Sequence, residues 1–405
     1  MDTIKHLFRI GYGPSSSHTM GPKRAAEIFM QKNPHASHYL VTLYGSLAAT
    51  GKGHMTDKAI LEALGADRTS ISWLPDVVLP YHPNGMEFEA FDEAGTVIDD
   101  WTVYSVGGGR IDDKGDRIPP ETISNIYPHH NMNEIQHYLM ENGLNFWEYV
   151  EECEGPAIWD YLRDIWHVMS DAVDRGVRRE GVIPGGLGIN RKANLYFRRS
   201  QLTRPGFIHS TPMSAYALAV SEENATGGQI VTAPTCGSCG VLPAVLRYFQ
   251  QKMDITEENI LRALATAGVF GNVVKHTGSI SGAEVGCQGE IGVACAMAAA
   301  AAEYFYSGTS RQIEYAAESG LEHHLGLTCD PVAGLVQVPC IERNAAAANA
   351  ALFAAQFVMF SDGSHRVSFD DVIKVMMNTG IDMPALYRET SEGGLAKVYR
   401  IPTGA

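Results

Sequence analysis

Two alanine-rich segments constrain the fold of this chain more than any other feature. The segments ACAMAAAAAEYFYSG at 294–308 and NAAAANAALFAAQFVMF at 344–360 are apolar nearly all round a helix. Helices of this kind are buried, and alanine side chains let neighbouring backbones approach closely. Asn349 and Gln356 would interrupt a membrane span. The sequence therefore predicts an all-α domain with buried Ala-rich central helices.

The pattern of the chain changes near residue 142. Before it, HYLVTLYGSL at 38–47 predicts a strand, and MEFEAFDEAGTVIDDWTVYSV at 86–106 predicts a hairpin that turns at 93–95. After Asn145, apolar residues recur at helical spacing. The 405 residues exceed the roughly 250 to 300 at which one core stops growing. We therefore predict an α+β domain at 1–142 and an all-helical domain at 143–405, with a polar linker near 128–133.

Composition excludes several classes of partner. The formal net charge is -15 and no run of Lys or Arg stands out, so nucleic acid is not expected as a partner. The start, MDTIKHLFRIGYGPSSS, has no apolar region, and no stretch is long enough for a membrane span. Seven cysteines, an odd number, fit reduced thiols or metal ligands better than disulfides. A cytoplasmic enzyme without a membrane partner is the expectation, and a homodimer is the commonest oligomer at this size.

Three cysteines lie next to Gly or Pro: Cys287 in EVGCQGEIG, Cys329 in LGLTCDPVAG and Cys340 in VQVPCIERN. Backbone amides in such segments can donate hydrogen bonds to cluster sulfurs. Three thiolates hold three irons of a cubane and leave the fourth open as a Lewis acid, which suits a dehydratase. Each cysteine alone is equally compatible with a small buried hydrophobe. Zinc ribbons need close pairs.

Cys236 and Cys239 in TAPTCGSCGVLP form the one such pair. The spacing resembles a redox C-x-x-C, but no βαβ pattern surrounds it. A tight turn that opens the helix of LPAVLRYFQQ, with a helix N-terminus able to hold a carboxylate, is the preferred interpretation. Cys153 and Cys295 lie on helical patterns and are predicted to be core residues.

Two histidines lie in loops suited to a cleft. His18 in GYGPSSSHTMGP is surrounded by hydroxyls that could cradle a carboxylate or amine, or merely cap the helix of KRAAEIFMQ. His54 in TGKGHMTDKA follows Gly53, and its ordinary pKa suits proton abstraction at neutral pH. A surface histidine is an equal alternative there. The TGKGH segment does not match an ATP-binding P-loop.

KHTGSISGAEVGCQGE at 275–290 concentrates polar groups around Cys287. Lys275 raises the rival idea of a Schiff base with pyridoxal phosphate. The flanking pattern lacks the alternating βαβ units of a nucleotide-like phosphate site. An iron site therefore explains more of the residues in this segment than a pyridoxal phosphate site does.

Taken together, GPSSSHTMGP, TGKGHMTDKA, SISGAEVGCQGEIGVACAMAAA and HHLGLTCDPVAGLVQVPCIERNAAAANAA resemble the iron-sulfur L-serine dehydratases, also called L-serine ammonia-lyases. That family has a β domain, similar to the allosteric substrate-binding domain of some phosphoglycerate dehydrogenases, and an all-helical α domain. The two are fused or lie on separate chains, and this sequence resembles the fused form.

The resemblance implies a 4Fe-4S cluster on Cys287, Cys329 and Cys340. L-serine would dock its hydroxyl on the open iron and yield pyruvate and ammonia. It implies that His54 takes the Cα proton and that His18 lies in the same cleft. The candidate substrate-binding residues are Ser15, Ser16, Ser17, Thr19, Lys52, Ser279, Ser281, Gly282 and Arg343.

Two departures from the family pattern concern sulfur. The family segment TAPTNGAAG is TAPTCGSCG here, and the chain ends YRIPTGA instead of in a cysteine that can cap the open iron. Capping of the open iron by the tail is therefore not expected.

Two other functions stay open. One is a hydro-lyase for another hydroxy acid, for which Arg343 and Lys52 are the few cationic candidates. The other is a non-catalytic serine or iron-sulfur sensor, in which Glu284, Glu290 and Arg343 would serve as well. Slow turnover of threonine also stays open, because one methyl group discriminates by only about 1 to 3 kcal/mol.

Overall fold

The computed structural model describes residues 1–115, 117–118, 125–202 and 210–399. The strands are β1 Ile10–Tyr12, β2 His38–Tyr44, β3 Thr69–Leu74, β4 Gly85–Phe91, β5 Val97–Ser105, β6 Ile111–Asp112 and β7 Gln229–Val231. The helices are α1 Gly21–Lys32, α2 Gly45–Thr50, α3 Thr56–Leu64, α4 Met132–Asn142, α5 Phe146–Glu154, α6 Ile158–Gly176, α7 Ala193–Leu202, α8 Ser210–Ala225, α9 Val241–Met253, α10 Glu257–Thr277, α11 Gly282–Val285, α12 Ile291–Phe305, α13 Ser310–Glu322, α14 Cys340–Val358, α15 Phe369–Asp382 and α16 Gly394–Val398. The predicted α+β and helical domains are confirmed. The prediction about the chain's tail concerns 400–405, which lie outside the described residues.

A five-stranded sheet forms the first domain, in the order β3-β2-β4-β5-β6. β2 and β3 are parallel and the other pairs are antiparallel. Side chains of β2 alternate, so that Tyr39, Val41 and Leu43 are buried. The predicted strand at 38–47 is confirmed for His38–Tyr44, but its last three residues begin helix α2, where Gly45 turns the chain with a positive φ. The hairpin of β4 and β5 is confirmed. Helix α1 covers the buried face through Phe29, whose ring packs against Phe88.

Helix α12 lies at the centre of the second domain. It packs against α9, α10, α13 and α14. All its alanines are fully buried. A Cβ atom added at Gly320 of α13 would lie 3.1 Å from the Cα of Ala296, which shows how closely the two backbones approach. The small side chains therefore allow the close packing that the sequence predicts.

The second alanine-rich helix, α14, is buried along one face. Ala347, Ala351 and Ala355 point inward, whereas Phe353 and Phe357 are 69% and 57% exposed. The sequence indicated burial all round because its apolar residues include these two aromatic side chains. The inward face alone contributes to the domain core.

The beginning of the chain packs into the helical domain. Ile4, Leu7 and Phe8 belong to the helical core, and β1 pairs with β7 in antiparallel fashion. Helix α4 contributes Ile135 and Leu139 to the same core. The division at 142/143 stays a prediction. Residues that precede the five-stranded sheet in the chain and residues that follow it both pack into the helical core.

Among the described residues, no single helix is long and apolar enough to cross a membrane. One bent pair, Gly282–Gln288 with Ile291–Phe305, has sufficient length and apolar composition when its two parts are taken together.

Candidate active site at the domain junction

The three cysteines of the sequence analysis line one cavity. Cys287 lies in a turn just before α12, Cys329 in an extended segment, and Cys340 at the first residue of α14. The amide of Cys329 donates to Tyr387 O at 2.8 Å, and its carbonyl accepts from the amide of Glu389 at 2.8 Å. Three separate segments of the helical domain thus present their thiols to the same space.

The α+β domain supplies the other wall of this cavity, which we call the cysteine cavity. Pro14, Ser15 and His54 line it together with the thiols. The Ser15 hydroxyl accepts from the amide of His18 at 3.1 Å, and so caps the tight helical turn Ser16–Met20. The Thr19 hydroxyl donates to the carbonyl of His54 at 2.7 Å and joins the two polar loops. The site is therefore complete only when the two domains are docked.

Gly53 allows the TGKGH loop to reach the cavity. A Cβ atom at this position would lie 2.4 Å from the carbonyl oxygen of Gly334 in the helical domain. The two backbones are therefore in direct contact, and only glycine fits between them.

His54 is buried as a neutral imidazole. Its Nδ1 donates to Thr50 O at 3.1 Å, since a carbonyl oxygen can only accept. Burial lowers the pKa of His54 to about 4, and the hydrogen bond to Thr50 offsets only part of this shift. The ordinary pKa expected from the sequence is therefore wrong, because the loop is buried between the domains. With the proton on Nδ1, the Nε2 atom carries an unshared electron pair and can accept a proton.

His18 lies beside His54, with ring centroids 4.5 Å apart. The hydroxyl of Ser46 donates to Glu389 O at 2.8 Å, so it must accept from His18 Nε2 at 3.1 Å. His18 Nδ1 therefore accepts, with Ser17 Oγ at 2.9 Å and Glu389 Oε1 at 3.3 Å. Burial, followed by the proximity of His54, lowers the pKa of His18 well below its ordinary value.

Two carboxyl groups, the buried Glu389 and the partly buried Glu290, line the cysteine cavity. Burial and the neighbouring Glu389 raise the pKa of Glu290 to about 8. Burial and the neighbouring Cys287 raise the pKa of Glu389 to about 8. Glu290 Oε2 lies 3.8 Å from Cys287 Sγ. At neutral pH both groups are mainly protonated, so they can donate hydrogen bonds.

The sequence analysis missed Glu389. It lies in LYRETSEGG, a polar segment without any pattern that distinguishes it from a surface loop. Only the backbone pairing with Cys329 brings its side chain into the cysteine cavity.

Arg343 and Gly282 lie next to the thiols. Burial lowers the pKa of Arg343, but the negative charge of the three cysteines raises it by more, so the pKa lies above its ordinary value. Its guanidinium donates to Thr328 O at 2.6 Å and lies 3.4 Å from Asp330 Oδ1. A Cβ atom on Gly282 would lie 3.3 Å from Cys329 Sγ.

Not all the predicted substrate-binding residues gather at the cavity. Ser16 and Ser17 are buried in the turn next to His18. Lys52 is exposed, with its Nζ 5.6 Å from the ring centroid of Trp73. Ser279 donates to Glu284 and lines a different cavity with Lys275. Ser281 Oγ is buried without a hydrogen-bond partner in the described part of the chain.

The segment TAPTCGSCG forms the predicted turn before α9. Gly237 is its contribution to the cysteine cavity. Cys236 points elsewhere, with its Sγ 3.4 Å from Met20 Sδ, and Cys239 is buried. Asn344 fixes the turn, because its side chain accepts from the amide of Gly240 at 2.9 Å and donates to Gly237 O at 2.8 Å.

The donor set fits an iron-sulfur cluster. The ligand atoms of Cys287, Cys329 and Glu290 lie within 4.8 Å of one another, and Cys340 lines the same cavity. The hydrogen bond with Cys287, followed by burial, raises the pKa of Cys329, and burial with the neighbouring Cys287 raises the pKa of Cys340. Thiolates at these two positions therefore need a positive counter-charge. Cluster iron would supply that charge.

The fold and this site define a two-domain enzyme class, and comparison with protein families identifies it. The serine dehydratase beta chain model matches residues 3–71 and 65–116, and the serine dehydratase alpha chain model matches residues 120–396. The chain belongs to the serine dehydratase family, with both parts fused in one polypeptide.

Similar proteins match this chain over nearly their whole length. An L-serine dehydratase of Streptomyces coelicolor is 43% identical, over 97% of this chain and 98% of the relative. An L-serine dehydratase of Mycobacterium tuberculosis is 42% identical, over 97% of both chains. L-serine dehydratase 1 of Escherichia coli is 39% identical, over 98% of this chain and 99% of the relative.

Proposed function

We propose that this protein is an L-serine dehydratase that converts L-serine to pyruvate and ammonia, using a 4Fe-4S cluster on Cys287, Cys329 and Cys340. The observation that carries the proposal is the cysteine cavity, in which the three thiols face the neutral His54. The names of the full-length relatives support the substrate. A cytoplasmic location and a homodimer remain predictions from the sequence.

The cluster and the histidine have complementary tasks. When bound through three cysteines, a 4Fe-4S cluster supplies an open iron that acts as a Lewis acid for the substrate hydroxyl. His54 Nε2 removes the Cα proton of serine, because its imidazole is neutral and its Nδ1 proton is held by Thr50 O. Loss of water leaves aminoacrylate, which tautomerises and hydrolyses to pyruvate and ammonia.

The surrounding residues hold the substrate and the base. Ser15, in the wall that the α+β domain supplies, binds a polar group of serine. The guanidinium of Arg343, which interacts electrostatically with all three cysteines, attracts the carboxylate. His18 acts as a positioning residue, since it connects Ser17, Ser46 and Glu389 across the domain junction. Ser15, His18 and His54 are buried, which limits the access of water to the base.

The test is pyruvate release from L-serine by protein reconstituted with iron and sulfide under anaerobic conditions. We expect turnover with L-serine and none when pyridoxal phosphate replaces iron. Turnover by the protein with pyridoxal phosphate alone would refute the cluster. A full cluster with measurable serine binding and no pyruvate would refute the dehydratase activity and favour a sensor.

A further inference from the structure

A second group of potential metal ligands lies beside the cysteines at the domain junction. Ligand atoms of His18, His54 and Glu389 lie within 4.8 Å of one another, and all three residues are buried. His54 and Glu389 line the cysteine cavity, and His18 stacks obliquely on His54. We call these three residues the His-His-Glu group.

Each histidine of this group has one nitrogen with an electron pair for a metal and one nitrogen that is occupied. His54 Nδ1 donates to Thr50 O, so its electron pair is on Nε2. His18 Nε2 donates to Ser46 Oγ, so its electron pair is on Nδ1. Metal-binding histidines almost always donate their second N–H in this way, because the hydrogen bond fixes the ring and its tautomer. Burial lowers the pKa of both rings, so neither has to lose a proton before it binds a metal.

Glu389 adds a carboxylate to the two nitrogens. Its Oε1 lies 3.3 Å from His18 Nδ1, which is the separation of two ligands on one tetrahedral zinc ion with bonds of about 2.0 to 2.1 Å. Its Oε2 is buried and has no hydrogen-bond partner among the residues that the structure describes. A buried polar atom without a partner costs free energy, which a bound metal ion would recover. The ion would displace the proton that Glu389 holds at neutral pH.

One hydroxyl group has to turn before an ion can enter. Ser17 Oγ lies 2.9 Å from His18 Nδ1 and 3.4 Å from Ser15 Oγ. Because a hydroxyl proton rotates freely, Ser17 can donate to Ser15 once a metal takes the histidine nitrogen. The hydrogen bond of Ser17 therefore does not block the site.

The donor types select the class of metal. Two imidazoles and one carboxylate are the ligands of one common kind of zinc site, in which water takes the fourth position. Calcium and magnesium prefer sites made of oxygen alone. We propose that the His-His-Glu group binds one divalent transition-metal ion, such as zinc, through His18 Nδ1, His54 Nε2 and Glu389. This site is distinct from the proposed cluster, whose ligands are thiols.

An ion at this site would inhibit the proposed reaction. It would occupy the electron pair of His54 Nε2, which removes the Cα proton of L-serine. Pyruvate formation should therefore fall at least tenfold when the site is full. This consequence rests on the proposed function, but binding of the ion does not.

The first measurement is X-ray absorption at the zinc edge, on full-length protein reconstituted with iron and sulfide and then given one equivalent of zinc. We expect two imidazoles and only nitrogen or oxygen ligands, at about 2.0 to 2.1 Å. Sulfur ligands at about 2.3 Å in cluster-loaded protein would assign the zinc to cysteines and overturn the proposal.

Iron is measured on the same sample, so that failure of the cluster is seen separately from failure of the zinc site. If no cluster forms, the measurement is repeated on the variant that combines Cys287→Ala, Cys329→Ala and Cys340→Ala. This variant lacks the competing thiols and should give the same nitrogen and oxygen ligands. Absence of bound zinc there would overturn the proposal as well.

Glu389→Gln and His18→Gln are the specific variants, because each removes one ligand. Zinc affinity, measured by equilibrium dialysis, should fall by roughly 10²-fold or more, since loss of an outer hydrogen-bond partner alone costs 10 to 100-fold. The control His137→Gln removes an exposed histidine and should keep full affinity. Unchanged affinity in both variants would overturn the proposal. The zinc ligands found in the unmodified protein keep it falsifiable even if a variant does not fold.

Discussion

At the scale of single residues, the protonation state of His54 is the basis of the proposed chemistry. The carbonyl of Thr50 fixes the proton on Nδ1, and burial keeps the ring neutral. We expect His54→Ala to lower kcat for pyruvate formation by roughly 10² to 10⁴-fold, which is the usual contribution of a general base. Pyruvate release and bound iron are measured on the same sample.

Lys52→Ala is the matched control for this prediction, since Lys52 lies in the same loop but is exposed. It should keep activity within about twofold, because surface positions contribute little. A His54→Ala enzyme that contains its cluster and keeps full activity would contradict the role of this histidine.

The buried carboxyl group of Glu303 leads to a second prediction about a single residue. Neither of its side-chain oxygens has a hydrogen-bond partner in the described structure, and burial raises its pKa to about 7. The folded state therefore holds a proton that the unfolded state releases above pH about 4.5. The free energy of unfolding should fall as the pH rises from about 4.5 to 7, by roughly 1 to 3 kcal/mol from this group.

The Glu303→Gln variant should remove this part of the pH dependence, because glutamine does not titrate. Urea unfolding at pH 5 and pH 7 measures the change, with the exposed Glu141→Gln as control. An unchanged pH dependence in Glu303→Gln would show that Glu303 ionises normally in the folded protein.

At the scale of elements, the contact between the TGKGH loop and the helical domain is the one most sensitive to substitution. Gly53→Ala places a Cβ atom against Gly334 O. We expect pyruvate formation to fall by about tenfold or more, since displacement of a catalytic group by about 1 Å costs up to 10²-fold. Gly334 lies between Cys329 and Cys340 in the chain, so bound iron is measured on the same sample and activity is compared per bound cluster.

Gly115→Ala is the corresponding control, because its Cβ would meet the nearest atom at 3.6 Å, an ordinary contact. It should retain activity. Normal turnover by Gly53→Ala would show that the loop approaches the helical domain less closely than the structure indicates.

The elements themselves could mostly be predicted from the sequence. The alternation of β2 and the alanine-rich pattern of α12 each identify one element, because burial repeats with the period of its backbone. The exposure of Phe353 on α14 could not be predicted, since composition does not reveal which face a neighbour covers. Glu389 was missed because its role depends on a backbone pairing with the distant Cys329.

At the scale of the whole molecule, the two domains form one site. Loops of the α+β domain supply Ser15 and His54, and loops of the helical domain supply the thiols. The motifs of the sequence indicated which segments matter, but not that Lys52 and Ser279 would lie outside the cysteine cavity. Such placements depend on domain docking, which local patterns do not determine.

The most direct test of the account is to measure iron content and pyruvate formation together in Cys340→Ala and in Cys153→Ala, both reconstituted anaerobically. Cys153 is half-buried on α5, away from the cavity. We predict that Cys340→Ala loses the cluster and pyruvate formation from L-serine, while Cys153→Ala retains both. Full turnover by Cys340→Ala, or equal loss in both variants, would contradict a catalytic cluster held by Cys287, Cys329 and Cys340.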